Sequence, residues 1–201
     1  MKKAKIAVFV SGGGTNLQAL IDAQGSVITS GEFAVVISSK PGVFALERAK
    51  KANIPTAVVE RKACATQDEF EQGIINVLEN HNIDFIILAG FMSILSENFT
   101  KKYSDRIINV HPSLIPSFCG KGFYGLRVHE AALEYGVKVT GATVHFVNEI
   151  PDGGKIILQK AVEIKDGDTP EILQKRVMEE AEWKLLPKAA EIVAAKILKG
   201  E

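Results

Sequence analysis

Short apolar runs that alternate with helical patterns constrain this chain more than any other feature. Lys5–Val10, Phe33–Ser38, Thr56–Val59, Asp84–Ala89 and Ile107–Val110 read as strands. Between them Thr15–Ala23, Val43–Ala52, Gln67–Asn80 and Ser96–Tyr103 read as helices. Several of the runs are apolar on both faces, as strands are when helices cover both sides of a parallel sheet. Strand–helix–strand repetition at this spacing predicts a doubly wound α/β fold.

The pattern changes in the second half. Lys138–Val147 and Lys155–Ile164 read as a longer, antiparallel strand pair joined by the turn-rich Asn148-Glu149-Ile150-Pro151-Asp152-Gly153-Gly154. Gly153 and Gly154 are expected to permit an unusual backbone path there. Asp168-Thr169-Pro170-Glu171 then carries the capping side chain, proline and acid of a helix start. Leu173, Val177, Ala181, Leu185, Ala189, Val193 and Ile197 recur every four residues, which predicts a long closing helix with one face on the sheet. Pro187 is expected to kink or divide it. No repeat or linker interrupts the chain, so residues 1–201 are expected to form a single domain.

Charge narrows the function classes. Lys plus Arg number 24 and Asp plus Glu number 24, which argues against a polybasic nucleic-acid binder. The longest charge-free apolar stretch, Phe85–Ser96, falls short of the roughly 20 residues a membrane-spanning helix needs. Lys2, Lys3 and Lys5 precede too short an apolar run for a signal peptide, so the chain is expected in the cytoplasm. Cys64 and Cys119 lie far apart with no ligand pattern around them, and read as incidental thiols.

Ser11-Gly12-Gly13-Gly14-Thr15-Asn16-Leu17 joins the first strand to the first helix. Free N–H groups at a helix start favour an anion. The loop lacks the lysine of a Walker A motif, and Leu17 stands where a dinucleotide fingerprint needs its third glycine. A single phosphate held by Gly14, Thr15 and Asn16 fits best, and a plain tight turn is the other reading.

Ile107–Pro116 is the most informative stretch. Asn109 and His111 are two apart, which puts both on one face of an extended segment at the carboxyl edge of the sheet. An amide donor beside an imidazole suits a carbonyl oxygen that gains charge while a nitrogen exchanges a proton. Such a histidine needs an orienting group, and Asp152 is a candidate that sequence alone cannot bring near; a strand-end histidine and a turn aspartate are the plainer reading. His145 reads as a packed strand residue able to line the site. His81 and His129 read as solvated, His129 within a charged helical patch. Trp183, Phe118, Phe123 and Tyr124 read as core or rim.

Ser-Gly-Gly-Gly-Thr-Asn-Leu-Gln, Leu-Ala-Gly-Phe-Met, Asn-Val-His-Pro-Ser-Leu-Ile-Pro and Thr-Gly-Ala-Thr-Val-His-Phe-Val with its later Asp-Gly-Gly occur in that order. Together they resemble the phosphoribosylglycinamide formyltransferases, folate-dependent enzymes of purine synthesis, from Lys5 to about Pro187. The resemblance implies formyl transfer from 10-formyltetrahydrofolate, as cosubstrate and without a metal, to the amine of 5′-phosphoribosylglycinamide. It implies Asn109, His111 and Asp152 as catalytic residues, with Asp152 raising the His111 pKa. Gly14, Thr15, Asn16 and Glu182 would hold phosphoribosylglycinamide, Glu182 at the ribose. Met92, Ser93, Ile94 and Leu95 would line the folate subsite with Asn109. Expected partners are small molecules, with no nucleic acid or membrane, and the state a monomer or homodimer.

The chain also departs from the resemblance. Gln67 and Ser93 stand where well-known members carry arginine, Phe118–Gly125 is longer than the turn of some members, and Lys155 replaces a common proline. Formyltetrahydrofolate deformylase, which hydrolyses the same donor, is similar around His111 but normally has an N-terminal regulatory domain. This chain starts shortly before its first strand and is expected to lack one. Methionyl-tRNA formyltransferase shares the catalytic residues but needs an RNA-binding domain and basic surface. A non-catalytic phosphate-binding module on the same sheet is the alternative of another class.

Overall fold

A computed structural model of the protein describes residues 2–201. Its strands are β1 (Ala4–Val10), β2 (Gly31–Ser38), β3 (Thr56–Val58), β4 (Phe85–Leu88), β5 (Ile107–His111), β6 (Val139–Phe146) and β7 (Ile156–Glu163). Its helices are α1 (Thr15–Ala23), α2 (Phe44–Lys51), α3 (Gln67–Asn80), α4 (Glu97–Lys102), α5 (Leu126–Tyr135), α6 (Pro170–Val177) and α7 (Trp183–Lys199). The strands form one sheet in the order β3-β2-β1-β4-β5-β6-β7. β1 to β5 run parallel, and β6 and β7 are antiparallel. The fold is the expected doubly wound α/β sheet with its antiparallel pair.

The two-residue period of β1 sorts its side chains onto two cores. Ala4, Ile6, Val8 and Val10 face the layer built from α1, α2 and the C-terminal helices. Ala7 and Phe9 face the layer of α3 and α4, beside Phe70, Ile74 and Phe99. With both faces covered, the ends of the strands are where backbone stays open to a ligand. Strand order reverses between β1 and β4, so the loops after these strands border the crevice at the switch point.

The closing helix departs from expectation. Pro187 lies buried inside α7, and the division falls earlier, at a π-helical segment over Met178–Glu182. Pro187 cannot donate to the Trp183 carbonyl, and the change of register sits directly ahead of that lost bond. The π segment also accounts for the four-residue repeat. Steps of four drift by about 40° each in a helix of 3.6 residues per turn, and local underwinding brings the apolar face back to the sheet. Leu173, Val177, Ala181, Leu185, Ala189 and Val193 are all buried.

Two histidines also differ from expectation. His129 is fully buried on α5, whose inner face packs Val128 and Ala132. Burial pushes it down to about 4, with His111 adding to the shift. His81 is half-buried at the end of α3, with Nδ1 donating to the Val77 carbonyl at 2.9 Å. Both sit where an amphipathic helix meets the core, so local charge in the sequence misreports their surroundings.

Candidate functional site

β5 and β6 lie side by side with Asn109 directly opposite His145 and His111 opposite Thr143. Alternation places all four on one face. Asn109 Nδ2 donates to His145 Nε2 at 3.3 Å, and His145 Nδ1 donates to the Phe146 carbonyl at 2.7 Å. His145 therefore fixes the Asn109 amide, leaving its second N–H free. His145 is 1% exposed and is part of the site. Its role depends on cross-strand register, which the sequence does not display.

Asp152 reaches this face from the loop between β6 and β7. Its Oδ2 lies 3.5 Å from His111 Nδ1 and accepts the Gly120 N–H at 2.9 Å. Its Oδ1 lies 3.6 Å from His145 Nε2. The loop glycines act differently from expectation: Asp152 itself takes the left-handed conformation, at φ 57°. Gly153 and Gly154 are needed for space. A Cβ on Gly154 would sit 1.7 Å from the Phe146 carbonyl oxygen, and one on Gly153 would sit 2.7 Å from Ile150.

The segment after β5 closes the other side. His111 Nε2 donates to the Phe118 carbonyl at 2.9 Å, and Phe118 is held at φ 48°. Asp152 does raise the His111 pKa as expected, but the net shift is downward. Burial pushes His111 down and outweighs the upward pull of the Asp152 carboxylate and the Phe118 carbonyl. Burial also raises Asp152, but His145, His111 and the Gly120 N–H together hold it below the usual carboxylate value. The pair at rest is a carboxylate beside a neutral imidazole. Phe118 and Gly120 contribute backbone atoms, which carry no side-chain signature in a sequence.

A cavity of about 140 Å³ opens beside this cluster. Leu88, Phe91, Ile94, Leu95 and Val147 supply apolar walls, and Ser93, Asn109 and Asp152 polar edges. Met92, expected with Ser93–Leu95, is not in the lining; its N–H is taken by Ser11 Oγ at 2.9 Å. Ligand pockets are typically about 300–1,000 Å³, so this cavity encloses only part of a ligand of that class.

The glycine loop borders the same edge of the sheet. β1 and β5 flank β4, so their ends lie about 10 Å apart at roughly 4.8 Å per strand. Gly12 and Gly13 are exposed, with no atom within 4 Å of an added Cβ. Gly14 caps α1 in the left-handed conformation, where a Cβ would meet Ala45 at 2.7 Å. Asn16 Nδ2 donates to Glu182 Oε2 at 2.8 Å, which joins two residues far apart in the chain. Thr15 is exposed at the first turn, its hydroxyl turned to Met178 Sδ at 3.9 Å. Burial pushes Glu182 up to about 7, against a smaller downward pull from Asn16.

Comparison with known proteins agrees in sequence and shape. The formyl transferase family model matches residues 4–190. The human trifunctional purine biosynthetic protein adenosine-3 is 48% identical over 96% of this chain, which spans only 19% of that protein. Phosphoribosylglycinamide formyltransferase of Haemophilus influenzae is 43% identical over 91% of this chain and 84% of its own length. The crystal structure of glycinamide ribonucleotide transformylase 1 from Symbiobacterium toebii superposes with a TM-score of 0.89 at 38% identity, covering 96% of this chain and 88% of that one. With its motifs in order, its fold matched and its length spanned almost throughout, the chain belongs to the formyl transferase family.

Proposed function

We propose that this chain, acting as a single cytoplasmic domain, transfers the formyl group of 10-formyltetrahydrofolate to the amine of 5′-phosphoribosylglycinamide. The observation that carries the reading is the approach of the Asp152 carboxyl to the His111 imidazole, beside Asn109 and an apolar-walled cavity. Relatives and structural neighbours named for this reaction support it.

The residues divide the work by chemistry. Exposed backbone at Gly12–Thr15 and the start of α1 receives the phosphate. Glu182, beside Asn16, faces the sugar hydroxyls. The ring end of the formyl donor enters the cavity, against the backbone of Ser93–Leu95. As the substrate amine bonds to the formyl carbon, the free N–H of Asn109 donates to the oxygen on which charge develops. His111, neutral at rest, accepts the amine proton, and the Asp152 carboxylate stabilises the resulting imidazolium. The bond from the formyl carbon to the folate nitrogen then breaks, and His111 returns the proton to that nitrogen. For His111 to accept, Phe118 releases Nε2 to the substrate and the ring's one proton moves to Nδ1, against Asp152, which frees the Nε2 lone pair.

The test is spectrophotometric: tetrahydrofolate formation from 10-formyltetrahydrofolate, with and without phosphoribosylglycinamide. Turnover that requires the glycinamide is expected. Formate release without it identifies a hydrolase, and absence of folate binding identifies a non-catalytic module; either overturns the proposal.

A further inference from the structure

The Ser93–Leu95 wall of the cavity, with Met92 just ahead of it, is not fastened mainly by its own side chains. Met92 and Ile94 are 53% and 75% exposed, and only Leu95 of the four is buried. Polar groups from other elements hold it. Ser11, after β1, accepts the Met92 N–H at 2.9 Å and pairs with the Ser39 hydroxyl at 2.8 Å. Gln67, in the first turn of α3, donates to the Ile94 carbonyl at 3.1 Å. The same amide nitrogen donates to Glu71 Oε1 at 2.6 Å.

Glu71 completes the clamp. It accepts the Ser96 N–H at 2.6 Å and, on its other oxygen, the Ser96 hydroxyl. It is 4% exposed, on a helix face that otherwise buries Phe70, Ile74 and Leu78. An apolar side chain would fill that place without the cost of desolvating a carboxyl. Its three donors come from Ser96, directly after the wall, and from Gln67, which grips the wall at Ile94. Arg61 Nε, donating to Gln67 Oε1 at 3.1 Å, turns the Gln67 amide so that its nitrogen faces Ile94 and Glu71.

We infer that Glu71, working through Gln67 and Ser96, is a positioning residue for the formyl donor: it sets where the Ser93–Leu95 backbone stands against the cavity. The inference rests on the reaction proposed above. It also gives Gln67 a task of its own at a position where arginine occurs in the resemblance.

The experiment compares Glu71→Gln and Gln67→Ala with the wild type in steady-state kinetics. Losing hydrogen bonds to a charged group typically costs enough to weaken an interaction about tenfold. Glu71→Gln should therefore raise KM for 10-formyltetrahydrofolate about tenfold, leaving kcat and KM for phosphoribosylglycinamide within about threefold. Gln67→Ala should raise the donor KM alone, by a smaller factor, and keeps the test open if Glu71→Gln does not fold. A donor KM within twofold of wild type in both variants overturns the inference, and so does an equal rise in both KM values, which is what general loosening produces. Calorimetric titration with tetrahydrofolate reads the same wall without turnover. A wild type that binds tetrahydrofolate but transfers nothing to phosphoribosylglycinamide sinks the proposed reaction, while unequal affinities of wild type and Glu71→Gln sustain the clamp and equal affinities overturn it. A wild type that does not bind tetrahydrofolate sinks both.

Discussion

Two carboxyl groups, Asp152 and Glu182, sit at opposite ends of the candidate site, and their surroundings drive them apart. Both are removed from water, which raises any carboxylic acid. Asp152 has His145, His111 and the Gly120 N–H to offset that, and ends below its usual value. Glu182 has only the Asn16 amide, and ends at about 7. The end proposed to handle protons thus keeps a negative charge beside a neutral imidazole. At the end proposed to receive a phosphate, Glu182 stays protonated up to about pH 7, which lessens the repulsion an arriving anion would meet. Burial is common to both, and the polar groups set beside each carboxyl decide the outcome.

The sharpest way to break this contrast is to remove the charge at the Asp152 end. Asp152→Asn keeps the shape and loses the carboxylate that pulls His111 upward. The His111 pKa then falls further below 6.5, because burial already depresses it. In the wild type, turnover should be lost as pH drops through a limb below 6.5, where the imidazole becomes protonated and can no longer accept the amine proton. In Asp152→Asn that limb should move to lower pH while the plateau falls on the order of 10²–10⁴-fold. A pH–rate profile of kcat/KM, which reports the free enzyme's groups, checks both. A limb that moves upward, or a plateau within tenfold of wild type, breaks the assignment.

Asn109 sharpens the same end. Asn109→Ala removes one oxyanion donor and should lower kcat about 10²–10³-fold, with the circular dichroism spectrum unchanged. Turnover close to wild type would show that charge develops elsewhere than beside Asn109.

The two ends were also unequally legible from the sequence. The glycine loop, the start of α1 and the strands around them follow from local pattern, because a strand's period and a helix's first turn are written in consecutive residues. Thr15–Ala23 and Gln67–Asn80 match the expected helices residue for residue. The Asn109–His111 face was legible for the same reason. The meeting of Asp152 with His111 depends on how β6 pairs with β5 and on the path of a loop, neither of which local pattern encodes. The residues offer Asp152 as a candidate orienting group, and only the resemblance implies that it meets His111. His145 was underrated because only register sets it opposite Asn109. The division of the closing helix is expected at Pro187 and falls earlier, at Met178–Glu182, since the proline is written in the sequence and the backbone's answer to it is not.

Glu182 offers the gentlest test, and it reads stability instead of rate. Its pKa is about 7 in the fold against an ordinary 4.5. The folded protein therefore holds a proton that the unfolded chain gives up above pH 4.5. Stability is fully present below that pH and declines as pH rises, until the folded carboxyl has also ionised above about 7. At about 1.4 kcal/mol per unit the loss is on the order of 3 kcal/mol. Glu182→Gln cannot ionise, keeps an oxygen for Asn16, and should escape the loss. Wild type and variant should melt close together at pH 5, and the variant should melt several degrees higher at pH 8, at about 2–4 °C per kcal/mol for a chain of this size. Thermal melts at the two pH values decide it. Equal melting temperatures at pH 8 would mean that Glu182 ionises without cost, through donors beyond Asn16, and the contrast with Asp152 would then vanish.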